Sequence, residues 1–316
     1  MKYFFGPSES ASRQWTHMKS DIDAAGHQQV DSIEQAQVYI NTSSKPSEVP
    51  EMPANIEFVQ HCFTGVNQMI DAGIITESSI PWCNAAGAFA KPVAESALGL
   101  LLSQAHHHKR FALEATWDGA REIDESQAWL YSPKGHAPKR VAIFGAGGIG
   151  QELISMLKPF GVHITAVNRS GRAVDGADQT HSLTDATSVW SKADFIVLIL
   201  PLTEETNGLV DAAKLKAMKS TAILVNVGRG KLVNTDDLVE ALRTGEIAGA
   251  GLEVMDPEPL PDGHPLWELK NCTMTPHMGA SWQVADLHLG EIFNANARAW
   301  EEGKPLPTHV DPKAGY

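Results

Sequence analysis

The chain has 316 residues, 43% of them hydrophobic, with a formal net charge of −13 and three cysteines. This length and apolar content can bury more than one core, so two domains are expected. The acidic balance argues against nucleic acid as a partner, because phosphate binding needs a basic face, and Cys62, Cys83 and Cys272 fit reduced core thiols better than a disulfide framework or a zinc site.

In chain order, KYFF at 2–5, QVYI at 37–40 and IEFVQ at 56–60 read as short strands separated by helix-like or polar connectors such as TSSKPSEVPEMP at 42–53. WCNAA at 82–86 is another strand or strand end, so the first 100 residues or so form a small α/β unit. From Pro92 onward, VAESALGLLLSQAHHHKRFALEA reads as one long helix with proline in its first turn. His106, His107 and His108 would point in different directions on it, so no metal site is expected there. The turn-rich SPKGHAPKR at 132–140 precedes a second α/β series with strands VAIF, VHITAV, FIVLIL, AILVNV and NCTMTP. NTDDLVEALRTG is a helix with Asn234 or Thr235 as its N-cap and Gly245 as its stop. A last helix, from about Gly279 to Glu302, is expected to return to the first unit. FIVLILPL at 195–202 is too short to span a bilayer, and the apolar N-terminal patch ends at Gly6 and Pro7 without the form of a signal peptide. A cytoplasmic protein with no membrane attachment is expected.

VAIF runs directly into Gly145, Gly147 and Gly150, spaced G-x-G-x-x-G, and then into helix formers. The first glycine allows the tight turn, the second lets backbone approach a pyrophosphate, and the third lets helix pack on strand. The helix N-terminus, with Gly148 and Ile149, offers free N–H groups to the anion. The flanking strand and helix make this a dinucleotide fingerprint. At the end of the next strand an NAD site would carry a carboxylate for the ribose hydroxyls. Here the chain reads Asn168, Arg169, Ser170, with Arg172 beyond. A neutral amide does not repel a 2′-phosphate, a guanidinium can pair with it, and a hydroxyl adds a donor, so NADP(H) is expected in preference to NAD(H).

NVGRGKLV at 226–233, GAGLEVMDPEPLPDGHPLW at 249–267 and TPHMGAS at 275–281, with GAGGIG upstream, resemble the D-isomer-specific 2-hydroxyacid dehydrogenases. The resemblance is strong from about 141 to 281 and weaker through TGVNQM at 64–69 and VAESALGLLL. It implies two doubly wound α/β domains: a Rossmann dinucleotide-binding domain at 101–280 and a smaller flavodoxin-like substrate domain at 1–100 and 281–316, with the cofactor in the cleft between them.

It also implies catalytic roles for Arg229 of GRG, Glu258 of PEP and His277 of TPH. These types suit a small 2-keto acid: a guanidinium can bind the carboxylate and polarise the carbonyl, and an imidazole can give its oxygen a proton. A carboxylate on the other ring nitrogen favours the imidazolium. By the same resemblance the backbone of Phe63, Thr64 and Gly65 approaches the substrate carboxylate. Pro201, Thr206 and Gly279 line the cofactor, and Val227 and Gly228 approach its nicotinamide. Two positions depart from the family pattern. Asn67 replaces a usual aspartate, and Glu253 stands where an aspartate near the cofactor carboxamide is common.

Most of the eight tryptophans read as core or interface residues, with Trp282 as a candidate pocket wall. The expected activity is NADPH-dependent reduction of glyoxylate, hydroxypyruvate or a similar keto acid by a homodimer. The alternatives are NAD-dependent oxidation of a D-hydroxy acid, phosphoglycerate included, and a cofactor-sensing corepressor-like protein.

Overall fold

The computed structural model describes residues 1–7, 15–114, 116–117, 119–124 and 127–315, and the chain divides into two compact units, Met1–Phe89 with Ala280–Tyr316, and Ala90–Gly279. The division falls at Phe89/Ala90, eleven residues before the expected boundary, because the whole helix Ala90–Ala105 packs into the second unit.

The first unit holds β1 (Lys2–Gly6), β2 (Gln28–Gln29), β3 (Val38–Asn41), β4 (Phe58–His61) and β5 (Trp82–Cys83), all parallel, in the order β2-β1-β3-β4-β5. This is the flavodoxin-like strand order. Successive side chains alternate between faces: Tyr3, Val38, Ile40 and Phe58 pack with Leu289 and Phe293 of helix Trp282–Glu301. Tyr39, Val59 and Trp82 pack with Met69, Ile75 and Val310. Burial on both faces explains the unbroken apolar runs.

The second unit holds β6 (Arg140–Phe144), β7 (His163–Asn168), β8 (Gln179–Ser182), β9 (Phe195–Leu198), β10 (Ile223–Asn226), β11 (Gly249–Leu252) and β12 (Cys272–Met274). Their order, β12-β11-β10-β9-β6-β7-β8, is the doubly wound nucleotide-binding arrangement with one added strand. Ala142, Phe144, Ile196, Leu198 and Leu224 face one core, and Val141, Ile143, Phe195, Val197 and Ile223 face the other. The order in which successive strands are added reverses between the parallel neighbours β6 and β9, and loops at the C-terminal edge on either side of such a switch form the crevice where ligands bind.

Several sequence expectations change. β8 is QTHS, a polar edge strand that pairing with β7 defines and apolar periodicity does not. β11 is GAGL, whose glycines seat the helix Ala90–Ala105: a side chain at Gly249 would meet Gln104, and one at Gly251 would meet Leu100. The expected long helix is two, Ala90–Ala105 and His108–Glu114, broken where His107 takes φ +53°; Ala115, its expected end, lies outside the described residues. His106 and His107 therefore form a turn and His108 opens the second helix, and among the described residues no cluster of His, Cys, Asp or Glu is placed to hold a metal. The helix after β10 is capped by Asn234, which accepts from the Asp237 N–H, and ends at Gly245 with φ +71°. Cys62, Cys83 and Cys272 are buried and outside any disulfide, and burial pushes Cys83 and Cys272 up to about 12, so both are protonated at neutral pH. Among the described residues no helix is long and apolar enough to cross a membrane.

Candidate active site

The glycine loop follows β6. Gly145 has φ +102°, and a Cβ there would lie 2.7–2.8 Å from the Ile199–Leu200 backbone, so only glycine fits. A Cβ on Gly150 would lie 2.5 Å from the Gly145 carbonyl, which lets the helix Gly148–Leu157 start tight against the turn. Gly147 faces open space and caps that helix with extended backbone. The loop is thus closed against the protein on two sides and open at the helix N-terminus, where an anionic pyrophosphate is favoured by free N–H groups and the dipole.

Asn168 ends β7, and its side chain is committed within the turn. Its Oδ1 accepts from the N–H groups of Ser170 (3.1 Å) and Arg172 (3.2 Å), while Nδ2 donates to the Arg172 carbonyl (2.6 Å). A carboxylate could not supply that last donor. Asn168, expected as a cofactor contact, is the staple of the turn that carries the exposed Arg169, Ser170 and Arg172.

At the other half of the sheet edge, Asn226 closes β10. It is 1% exposed, accepts from the Gly228 N–H at 3.1 Å and donates to the Arg229 carbonyl at 2.9 Å. A side chain at Gly228 would strike the Leu200 carbonyl, and one at Gly230 would overlap the Met255 carbonyl. Arg229 is therefore fixed between two close backbone crossings, and its Nη1 donates to the Gly228 carbonyl at 2.6 Å. Burial makes its guanidinium easier to deprotonate than usual, and the negative charge of Glu258 opposes this.

His277 follows β12 with φ +55°, an uncommon conformation for a non-glycine residue, and its Nδ1 pairs with Glu258 Oε1 at 2.6 Å. The pair is half-exposed, and Nε2 has no protein partner among the described residues. One place in the second unit thus gathers a guanidinium, an imidazole and a carboxylate.

Glu253, expected near the cofactor carboxamide, is 2% exposed. Its carboxylate accepts from Ser96 Oγ (2.8 Å), Thr275 Oγ1 (2.5 Å) and the Gly279 N–H (2.5 Å). Thr206 likewise turns inward: its hydroxyl donates to the Pro201 carbonyl at 2.7 Å and accepts from the Thr203 N–H at 2.8 Å, setting the loop after β9, while Val227 is buried beyond β10. Sequence reasoning missed Asn226, Ser96 and Thr275. Asn226, between an apolar strand and a GxG, carried a readable signal; the other two gain their meaning from a partner far away in the chain.

Phe63, Thr64 and Gly65 follow β4 in the first unit. The Ala85 N–H donates to the Phe63 carbonyl (3.1 Å), Asn84 Nδ2 to the Thr64 carbonyl (3.2 Å) and Thr64 Oγ1 to the Ala85 carbonyl (3.2 Å). Asn67 begins the short helix Asn67–Asp71. Trp282 packs edge-on to Trp15 in this unit, with ring centroids 6.1 Å apart. His61, at the end of β4, is fully buried and accepts through Nδ1 from Asn41 Nδ2 at 3.0 Å. Burial pushes it from 6.5 down to about 4, opposed by the Gly65 backbone. The unfolded chain therefore takes up this proton near pH 6.5, while the folded one resists until about pH 4, so stability is full above the window and falls as pH is lowered through it. The loss is expected to reach roughly 3 kcal/mol. Denaturant melts of wild type and His61→Gln from pH 7 to 4 check this; parallel curves would remove His61 as the cause.

The model of the family described as "D-isomer specific 2-hydroxyacid dehydrogenase, NAD binding domain" matches residues 98–279. An uncharacterized protein from the proB 3′ region of Corynebacterium melassecola is 46% identical over 302 residues, 96% of this chain and 97% of that one. The glyoxylate reductase of Pyrococcus horikoshii is 32% identical over 267 residues, 84% of this chain and 79% of that one. Among solved structures, a D-isomer specific 2-hydroxyacid dehydrogenase from Xanthobacter autotrophicus Py2, in complex with NADPH and MES, superposes with a TM-score of 0.78 at 26% identity, covering 100% of this chain and 99% of that one. A nucleotide-binding unit matched almost from end to end, carrying an arginine, a glutamate and a histidine on its own loops, places this chain in the D-isomer-specific 2-hydroxyacid dehydrogenase family.

Proposed function

We propose that this protein reduces small 2-keto acids, glyoxylate and hydroxypyruvate foremost, to 2-hydroxy acids with NADPH. The observation that carries the reading is the 2.6 Å contact between Glu258 and His277 Nδ1, with Arg229 coupled to the same carboxylate. Glu258 holds the Nδ1 proton and so directs Nε2 toward the substrate as the general acid. Arg229 binds the substrate carboxylate and polarises the keto oxygen that receives the proton from Nε2. NADPH, when bound, would supply the hydride that the keto carbon accepts. Gly145, Gly147 and Gly150, with the N–H groups of Gly148 and Ile149, fit the dinucleotide's pyrophosphate. A panel of 2-keto acids assayed with NADPH and NADH in parallel tests the proposal; cofactor binding with no turnover of any keto acid would replace it with a sensor.

The turn after β7 supports NADPH: it holds two exposed arginines, a serine and no carboxylate between 168 and 172. Arg169→Ala is expected to raise KM for NADPH about 10- to 100-fold, the worth of a charge-assisted hydrogen bond, and to leave KM for NADH nearly unchanged. Equal effects on both cofactors would remove Arg169 from 2′-phosphate recognition. Buried reduced thiols support a cytoplasmic location, and the exposed Leu113, Trp117, Trp129 and Tyr131 support a homodimer, which light scattering checks.

A further inference from the structure

The Glu253 carboxylate accepts from three donors, two of which lie on one short loop. Thr275, Gly279 and the histidine between them form the segment that leaves β12. The Thr275 hydroxyl and the Gly279 N–H donate to the two carboxylate oxygens from either side of His277, at 2.5 Å each. The His277 N–H donates to the Glu253 main-chain carbonyl at 2.9 Å, so one residue holds the loop with both side chain and backbone. Ser96, on the helix Ala90–Ala105, fixes the carboxylate from behind at 2.8 Å. Between these points His277 is kept at φ +55°, a backbone state that costs energy for a β-substituted residue and persists only where neighbouring bonds determine it.

We propose that Glu253 is the positioning residue of the proton donor: its buried carboxylate spans Ser96, Thr275 and Gly279 to lock the left-handed turn that carries His277 to Glu258. This assigns the carboxylate to the loop in place of a cofactor contact, and it rests on the reading of His277 as general acid. The length of the side chain matters. A carboxylate one methylene shorter cannot keep all three donors at these distances, and a shift of about 1 Å in a reacting group can cost on the order of 100-fold in rate. An amide of equal length can still accept from the Gly279 N–H through its oxygen, while the two hydroxyls rotate to accept from its NH₂.

The test compares Glu253→Asp, Glu253→Gln and Thr275→Val in the full-length protein. Each is followed by kcat and KM for the best keto acid and by the NADPH Kd from fluorescence titration. Glu253→Asp is expected to lower kcat about 10- to 100-fold with NADPH Kd within about twofold of wild type. Glu253→Gln should recover most of that loss, and Thr275→Val should fall between the two. A cofactor contact predicts the reverse: Glu253→Asp with wild-type kcat, or a change in NADPH Kd that matches or exceeds the change in kcat, overturns the proposal. An unchanged kcat in all three variants also overturns it. Failure of the underlying reading is separate, because it appears as wild-type protein without turnover or as His277→Ala with full activity.

Discussion

His277→Ala is expected to lower kcat for keto-acid reduction by about 10²- to 10⁴-fold, the range that a positioned general acid contributes. NADPH binding should be spared, because the glycine loop and the arginine turn follow β6 and β7 while His277 follows β12 at the opposite end of the strand order. Stability should change little. The His277–Glu258 pair is roughly half-exposed, and pairs so open to solvent contribute little to folding. A variant that loses activity but keeps its melting temperature and NADPH affinity fits this role. One that retains full turnover ends the proton-donor assignment, and one that loses cofactor binding relocates His277 to the cofactor site.

Arg229→Ala is expected to reduce kcat/KM by about 10³-fold or more, with both parameters affected. One share is the charge-assisted bond to the substrate carboxylate, felt in KM; the other is the polarisation of the carbonyl, felt in kcat. Arg229→Lys should rescue little. Its ammonium has no planar fork, and the site between Gly228 and Gly230, with their close approaches to the Leu200 and Met255 carbonyls, leaves the backbone no freedom to re-aim it. Steady-state kinetics on the two variants decide the matter: Arg229→Lys at wild-type efficiency would mean that only a point charge is used, and wild-type kinetics in Arg229→Ala would remove the residue from the site.

Much of this site was legible from short segments, for reasons that can be named. GAGGIG between strand and helix is readable because two of its demands are local: Gly145 takes φ +102°, and Gly150 must clear the Gly145 carbonyl. VNVGRG is readable because an apolar strand that breaks at a glycine pair must deliver the residue between them to the sheet edge. Other features were hidden by the same locality. β8 has no apolar pattern because it is an edge strand, and β11 is missing from the strands read in the sequence because its glycines answer to a helix about 150 residues earlier in the chain, a separation readable from Gly249 and Leu100. The helix through HHH looked continuous because histidine is not a helix breaker, yet His107 lies in the left-handed region at φ +53°.

By itself the sequence determined which groups could do chemistry here and along which strands they would be delivered, since strand pattern, turn glycines and side-chain type are properties of neighbouring residues. Only the folded structure shows which of those groups use their lone pairs inside the protein, some within their own turn and some across the chain. Asn168 is consumed by its own turn, Glu253 by Ser96, Thr275 and Gly279, and Thr206 by its loop, whereas His277 Nε2 has no protein partner among the described residues. A hydrogen-bonding group is satisfied by whatever the fold places within about 3 Å of it. For Glu253 and Ser96 that neighbour is 157 residues away, a distance that no local pattern encodes.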